Sequence, residues 1–214
     1  MHPLHDPSIY DGIEALGLKD DYQGWRTASH ARTFRRLIDH LSPKVVIEVG
    51  SWKGNSVCNM ALDSRHLDTH FFCCDTWLGS IEHMTDKSPD YKFPRLHGYP
   101  TLYYQFLTNI KKAGFADRVT PIPNTSYACA DYLSRHKVTA ELIYIDGDHS
   151  YKGCYEDLCA YQHLLTDRTK SVLFGDDWQV FPGVTEAVQD FSNIHQNDFR
   201  LETDDKLWIL WPKT

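Results

Sequence analysis

"LIYIDGDHSYKG", Leu142 to Gly153, sets a short apolar run directly against two aspartates and a histidine. The run has no polar alternation, so it reads as a strand covered on both faces. A helical segment, "CYEDLCAYQHLL", follows it. A second unalternated run, "SVLFGDD", comes next and also ends in acids. Strand, helix and strand in that order call for parallel pairing in a sheet sandwiched by helices.

The same alternation continues outward. Upstream, "RTFRRLIDHL" (32–41) has apolar residues at helical spacing and stops before Pro43. "VVIEV" (45–49) is a buried strand, "GSWKGNS" a glycine-containing turn, and Asn55 or Ser56 caps a helix through "VCNMALDS". "HFFCCD" (70–75) is a second strand ending in an acid. "TLYYQFLTNIKKAG" (101–114) is a helix closed by Gly114, "RVTPIP" a weaker strand and "SYACADYLSRH" a helix. Downstream come a helix, "GVTEAVQDFSNI", and a terminal hairpin, "FRLETDDKLWILW". The fold class is therefore α/β: a doubly wound, mostly parallel sheet with a C-terminal antiparallel hairpin. No repeat or linker interrupts it, so residues 1–214 are expected to form a single domain with an N-terminal helical segment over 1–42. Residues 76–100 are the one long irregular stretch, and a loop of that length points to a functional role.

Composition bounds the function. The 214 residues are 42% hydrophobic and 24% charged, with a net charge of -7. That balance opposes a broad electrostatic grip on nucleic acid or an anionic membrane. No apolar window reaches the roughly 18 to 20 residues of a membrane span, and the N-terminus lacks a basic start and apolar core. The six cysteines form no C-x-x-C pair, so reduced thiols in a cytoplasmic protein are expected.

Ligands of such sheets bind beyond the carboxyl ends of the strands. Acids fall there repeatedly: Glu48, Asp75, Asp146 and the pair Asp176–Asp177. Burying an unpaired carboxylate is costly, so the coincidence points to a ligand site. Gly50 and Gly54 bracket a turn ahead of a helix N-terminus, and Asp75 is placed to bind a ribose diol. The glycine spacing is G-x-x-x-G, with Trp52 between, whereas a dinucleotide site wants G-x-G-x-x-G. A nucleoside ligand without a pyrophosphate fits, and a nicotinamide-dependent oxidoreductase is the less favoured alternative.

"VVIEVGSWKGNS", "CDTWLGS", "LIYIDGDHSYKGCYEDL" and "VLFGDDW" resemble the class I S-adenosylmethionine-dependent methyltransferases, specifically the small-molecule O-methyltransferases related to macrocin O-methyltransferase. The resemblance runs from about Val45 to Val188. It implies a Rossmann-like, seven-stranded sheet and S-adenosylmethionine as cofactor. Glu48 and Gly50, with Ser51 and Gly54 of the same turn, would lie beside its methionine part. Asp75, followed by Thr76, would take the ribose hydroxyls, and Ser126 the adenine end. Asp146 would border the cofactor and, with Asp176 and Asp177, hold a divalent cation. Metal-dependent relatives often carry Glu-Asp where this chain has Asp176–Asp177.

Three carboxylates favour a hard cation, with magnesium the default and manganese or calcium as options. A cation beside the acceptor lowers the pKa of a hydroxyl and fixes its position. His149 or Asp148 is the base that removes the proton. Trp77 and Trp178 are candidates to stack on the acceptor, and the 76–100 loop, with His83, Tyr91 and His97, to cover it. The expected function is O-methylation of a sugar, glycan or other small-molecule hydroxyl, with a catechol or phenol as the second reading. No nucleic-acid or membrane partner is expected. The N-terminal segment either closes over the cofactor or packs on a second copy as a homodimer.

Overall fold

The structure is a computed structural model that describes residues 2–24, 27–85, 92–167 and 169–213. Its centre is a seven-stranded sheet. Strands β1 (Val45–Val49), β2 (His70–Asp75), β5 (Val119–Pro123), β6 (Leu142–Ile145) and β7 (Val172–Gly175) are parallel. The hairpin β8 (Phe199–Asp204) and β9 (Leu207–Pro212) closes one edge, with β9 antiparallel to β7. The spatial order is β5-β2-β1-β6-β7-β9-β8. Chain order runs outward from β1 on one side and resumes at β6 on the other. The switch point therefore lies between β1 and β6, where such folds bind ligands.

Alternation survives inside the apolar runs as a division between two cores. Val46, Phe71, Tyr144 and Phe174 face one cluster with Phe34, Leu37 and Phe106. Ile47, Phe72, Ile143 and Leu173 face the other with Leu158, Val188 and Phe191. The first layer comprises helices α1 (Ala28–Leu41), α2 (Asn55–Asp63) and α4 (Leu102–Lys112). The second comprises α5 (Ser126–Arg135), α6 (Tyr151–Tyr161) and α7 (Pro182–Ile194). Each fully buried Leu, Ile or Phe contributes roughly 1.5 to 3 kcal/mol, which is why both faces of the central strands are apolar.

Two readings are revised. Helix α1 starts at Ala28, four residues before Arg32, because Thr27 is the N-cap and His30 Nδ1 accepts the Thr27 N–H at 3.1 Å. The 76–100 stretch is not wholly irregular: it holds a short helix, α3 (Glu82–Thr85), and a two-stranded pair, β3 (Arg95–Leu96) with β4 (Tyr99–Pro100). Tyr91 lies outside the described residues. The N-terminal segment packs on its own chain. Tyr10 Oη donates to Val119 O at 2.8 Å, Tyr22 Oη to Asn109 O at 3.0 Å, and Asn109 Nδ2 to Asp21 O at 2.8 Å. The six cysteines are free thiols, five of them buried. Among the described residues no helix is long and apolar enough to cross a membrane.

Candidate active site

The β1 turn is shaped by the chain itself. Gly50 has φ 85°, and a Cβ there would stand 1.9 Å from Asp146 O, so only glycine lets β1 and β6 close up at the switch point. A Cβ on Gly54, φ 84°, would press on Phe106 at 3.1 Å. Both glycines are required by packing at this turn. Glu48 is fully buried, and Ser56 Oγ donates to its Oε1. Burial pushes the Glu48 carboxyl up to about 7, against the lowering effect of the Ser56 hydroxyl. Glu48 Oε2 and Ser51 Oγ are buried with no hydrogen-bond partner among the described residues. Two such orphans beside one turn fit a ligand that carries its own polar groups, as the amino-acid end of S-adenosylmethionine does.

Asp75 ends β2. Its Oδ2 accepts the Trp52 N–H at 2.8 Å and its Oδ1 the Trp77 N–H at 2.7 Å. Burial raises its pKa, and these backbone donors offset the shift. Thr76 Oγ1 accepts from Leu78 N at 3.2 Å. Trp52 (φ 46°) and Trp77 (φ 51°) both adopt left-handed backbone, costly for bulky residues and concentrated at the strand ends. The Trp52 indole donates to Gln23 Oε1 at 3.1 Å and stacks on His83, with ring centroids 4.3 Å apart.

The acids after β6 and β7 build the centre of the site. Ile145 pairs with Gly175, so Asp146 and Asp176 leave neighbouring strands at the same level. Asp146, His149 and Asp177 bring one ligand atom each within 4.8 Å of one another. His149 Nε2 lies 3.0 Å from Asp177 Oδ2, and its ring stacks on Phe181 at 4.2 Å. Tyr144 Oη donates to Asp146 Oδ2 at 3.1 Å. Burial, then Asp176 and Asp177, push the Asp146 carboxyl well above the carboxylate range, with His149 pulling the other way. The cleft between these residues holds about 10 Å³, room for about one water-sized group. The carboxylates fit a hard divalent cation, with the His149 imidazole beside them.

The cation set foreseen from the sequence was Asp146, Asp176 and Asp177. Asp146, His149 and Asp177 come together, and Asp176 lines the same cleft while also bonding to its neighbours. Its Oδ2 lies 2.6 Å from His30 Nε2 and its Oδ1 accepts the Asp177 N–H at 2.8 Å. Asp148 is turned to local work: its Oδ1 accepts the Ser150 N–H at 2.8 Å at the start of α6. Ser126, at the start of α5, donates its hydroxyl to Asp157. Asp157 is buried, and burial raises its carboxyl to about 7. Trp77 and Trp178 were placed against the acceptor, yet both are buried. Trp77 lies among Tyr103 and Phe106 and donates its indole N–H to Trp52 O at 2.8 Å. Trp178 belongs to the core behind β7, so neither indole offers an open face.

His30, Tyr144 and Asp157 escaped the sequence reading. Tyr144 was findable: it precedes Asp146 by two residues, hence shares its face of the strand. His30 sits where a capping box would put Glu or Gln, a cue of caps but not of a distant acid.

A family model described as a methyltransferase domain matches residues 47–178. No curated protein matches the chain by sequence. Among solved structures, the O-methyltransferase NovP superposes with a TM-score of 0.66 at 16% identity, covering 98% of this chain and 100% of that one. The O-methyltransferase TomG from Streptomyces achromogenes, solved in complex with SAM, gives 0.63 at 12% identity over 99% and 93%. An O-methyltransferase from Bacillus cereus, solved in complex with SAH, gives 0.60 at 13% over 97% and 91%. At these identities the likeness is one of fold.

Proposed function

The chain belongs to the methyltransferase domain family, and on that footing we propose that it is an S-adenosylmethionine-dependent O-methyltransferase of the macrocin O-methyltransferase type, acting with a divalent cation on a small-molecule hydroxyl. The observation that carries this reading is the convergence of Asp146, His149 and Asp177 within 4.8 Å at the switch point, beside the orphaned Glu48 and Ser51. The fold shared with O-methyltransferases solved with SAM or SAH supports the cofactor.

S-adenosylmethionine supplies an electrophilic methyl group on sulfur. Glu48 and Ser51 would hold its amino-acid end, Asp75 its ribose, and the Ser126 region its adenine. Asp146 and Asp177 would hold a divalent cation, whose charge would make a hydroxyl easier to deprotonate. Tyr144 holds Asp146 from below, so its carboxylate keeps one orientation. His149, braced by Asp177 and Phe181, takes the hydroxyl proton on its imidazole. The acceptor is read as a vicinal diol, because neighbouring oxygens suit the polar lining of Asp146, Asp148, His149 and Asp177. A sugar ring is the first choice and a catechol the second, since the Trp77 and Trp178 indoles are both buried.

Calorimetric titration of S-adenosylhomocysteine, NADH and Mn²⁺ tests the assignment. The expected result is binding of the first and third only, with Asp177→Asn losing Mn²⁺ and keeping S-adenosylhomocysteine. Binding of NADH in place of S-adenosylhomocysteine would overturn it. Methyl transfer to glycosides against catechols then separates the two acceptors.

A further inference from the structure

We infer that His30 is a positioning residue for this site: by holding Asp176 it fixes the turn that aims Asp177 at Asp146 and His149. The inference rests on the reading proposed above for Asp146, His149 and Asp177.

The geometry begins with matched spacings. Phe34 packs on Tyr144 and Phe174, with ring centroids 5.2 Å and 5.7 Å away. His30 lies four residues before Phe34 on α1, and Asp176 two residues after Phe174 on the β7 side. Four helical residues rise roughly 6 Å and two strand residues roughly 6.6 Å, so His30 meets Asp176 one step above the Phe34–Phe174 contact. The His30 tautomer is fixed by its other nitrogen. Nδ1 accepts a backbone N–H from Thr27, a group that can only donate, so Nε2 carries the proton given to Asp176 Oδ2 at 2.6 Å. His30 is buried at 2% exposure, which makes this bond a fixed one.

Asp176 is thereby held at four points. Besides His30, its Oδ1 accepts the Asp177 N–H at 2.8 Å, its carbonyl accepts the Trp208 indole N–H at 3.0 Å, and its own N–H donates to Ile145 O at 3.3 Å. The next residue, Asp177, has φ 66°. A non-glycine residue stays left-handed only where its surroundings dictate it, and the clamp on Asp176 is what precedes it. The start of α1 is itself anchored: Ser29 Oγ donates to Asp205 Oδ2 at 2.7 Å and Thr33 Oγ1 to Asp204 Oδ2 at 2.8 Å. Helix α1 thus acts as a splint between the β8–β9 turn and the acids of the site.

The test is Mn²⁺ titration followed by electron paramagnetic resonance, with S-adenosylhomocysteine calorimetry and ¹⁵N signals of the His149 imidazole read on the same proteins. His30→Ala is expected to weaken Mn²⁺ binding about tenfold or more, as loss of outer partners does, while S-adenosylhomocysteine affinity stays within about twofold. His30→Gln, whose amide can still donate to Asp176, is expected to recover most of the loss. The His149 signals are expected to shift in the Ala variant and return in the Gln variant. If His30→Ala does not fold, His30→Met, which keeps most of the side-chain volume and has no proton to donate to Asp176, replaces it with the same expectations. Unchanged Mn²⁺ affinity and unchanged His149 signals would overturn the inference. A wild-type protein that binds no Mn²⁺ would instead overturn the cation reading, and the His149 signals alone would then decide the role of His30.

Discussion

His149 and Asp177 join the loops after two neighbouring strands through a 3.0 Å contact between Nε2 and Oδ2, while Phe181 stacks 4.2 Å from the imidazole. The ring is held on one edge and one face. A base braced in this way is worth about 10² to 10⁴ in rate. His149→Asn is therefore expected to cut turnover by about a hundredfold or more, with Mn²⁺ affinity lowered less than about tenfold. Steady-state kinetics beside Mn²⁺ titration check it. A parallel collapse of Mn²⁺ binding would make His149 a ligand and leave the base to another group.

Asp146 lies buried beside two further carboxylates, and that crowding raises its pKa. Asp146→Asn keeps an acceptor for Tyr144 and removes a like charge. In EDTA the variant is expected to melt about 2 to 4 °C higher, while the stabilisation that Mn²⁺ gives the wild type disappears. Thermal melting with and without the ion measures both.

Glu48 shifts from 4.5 to about 7. Across that window the folded protein keeps a proton that the unfolded chain has lost, so stability falls as pH rises, by at most about 1.4 kcal/mol per pH unit. Glu48→Gln is expected to match the wild type near pH 4, to exceed it at pH 8, and to bind S-adenosylhomocysteine more weakly. Urea unfolding at the two pH values and calorimetry test the pair of effects.

His70 shifts the opposite way, from 6.5 to about 3, through burial and the nearby His5 and His2. Its Nε2 and the Nδ1 of His5 both lie 2.8 Å from Thr120 Oγ1. The unfolded chain takes the proton first, so stability is full above 6.5 and is lost as pH falls through the window, again by at most about 1.4 kcal/mol per unit. His70→Gln is expected to flatten this acid limb, and urea unfolding at pH 7 and pH 5 shows whether it does.

Trp77 is 2% exposed and ties β2 to the Trp52 turn. Trp77→Ala is expected to cost about 3 to 5 kcal/mol and to weaken cofactor binding with it, since the Trp77 indole donates to Trp52 O and so holds the turn whose backbone N–H Asp75 accepts. A residue that merely stacked on the acceptor would raise the acceptor KM and leave Tm unchanged.

The sequence by itself determined the sheet. Unalternated runs such as Val45–Val49 and Leu142–Ile145 have to be covered on both faces, and the helical segments between them leave few other arrangements. It also determined which strand ends carry acids, because Asp75, Asp146 and Asp176–Asp177 follow those runs directly. Tertiary structure decided what each acid does. Asp176 and Asp177 are adjacent in the chain, yet one is clamped by His30 and the other faces Asp146 and His149. That division depends on a backbone turn at φ 66° and on a histidine 146 residues away, neither of which local spacing encodes. Trp77 likewise sits beside an acid in sequence and in the core in space, because burying a large ring outweighs what its neighbours suggest.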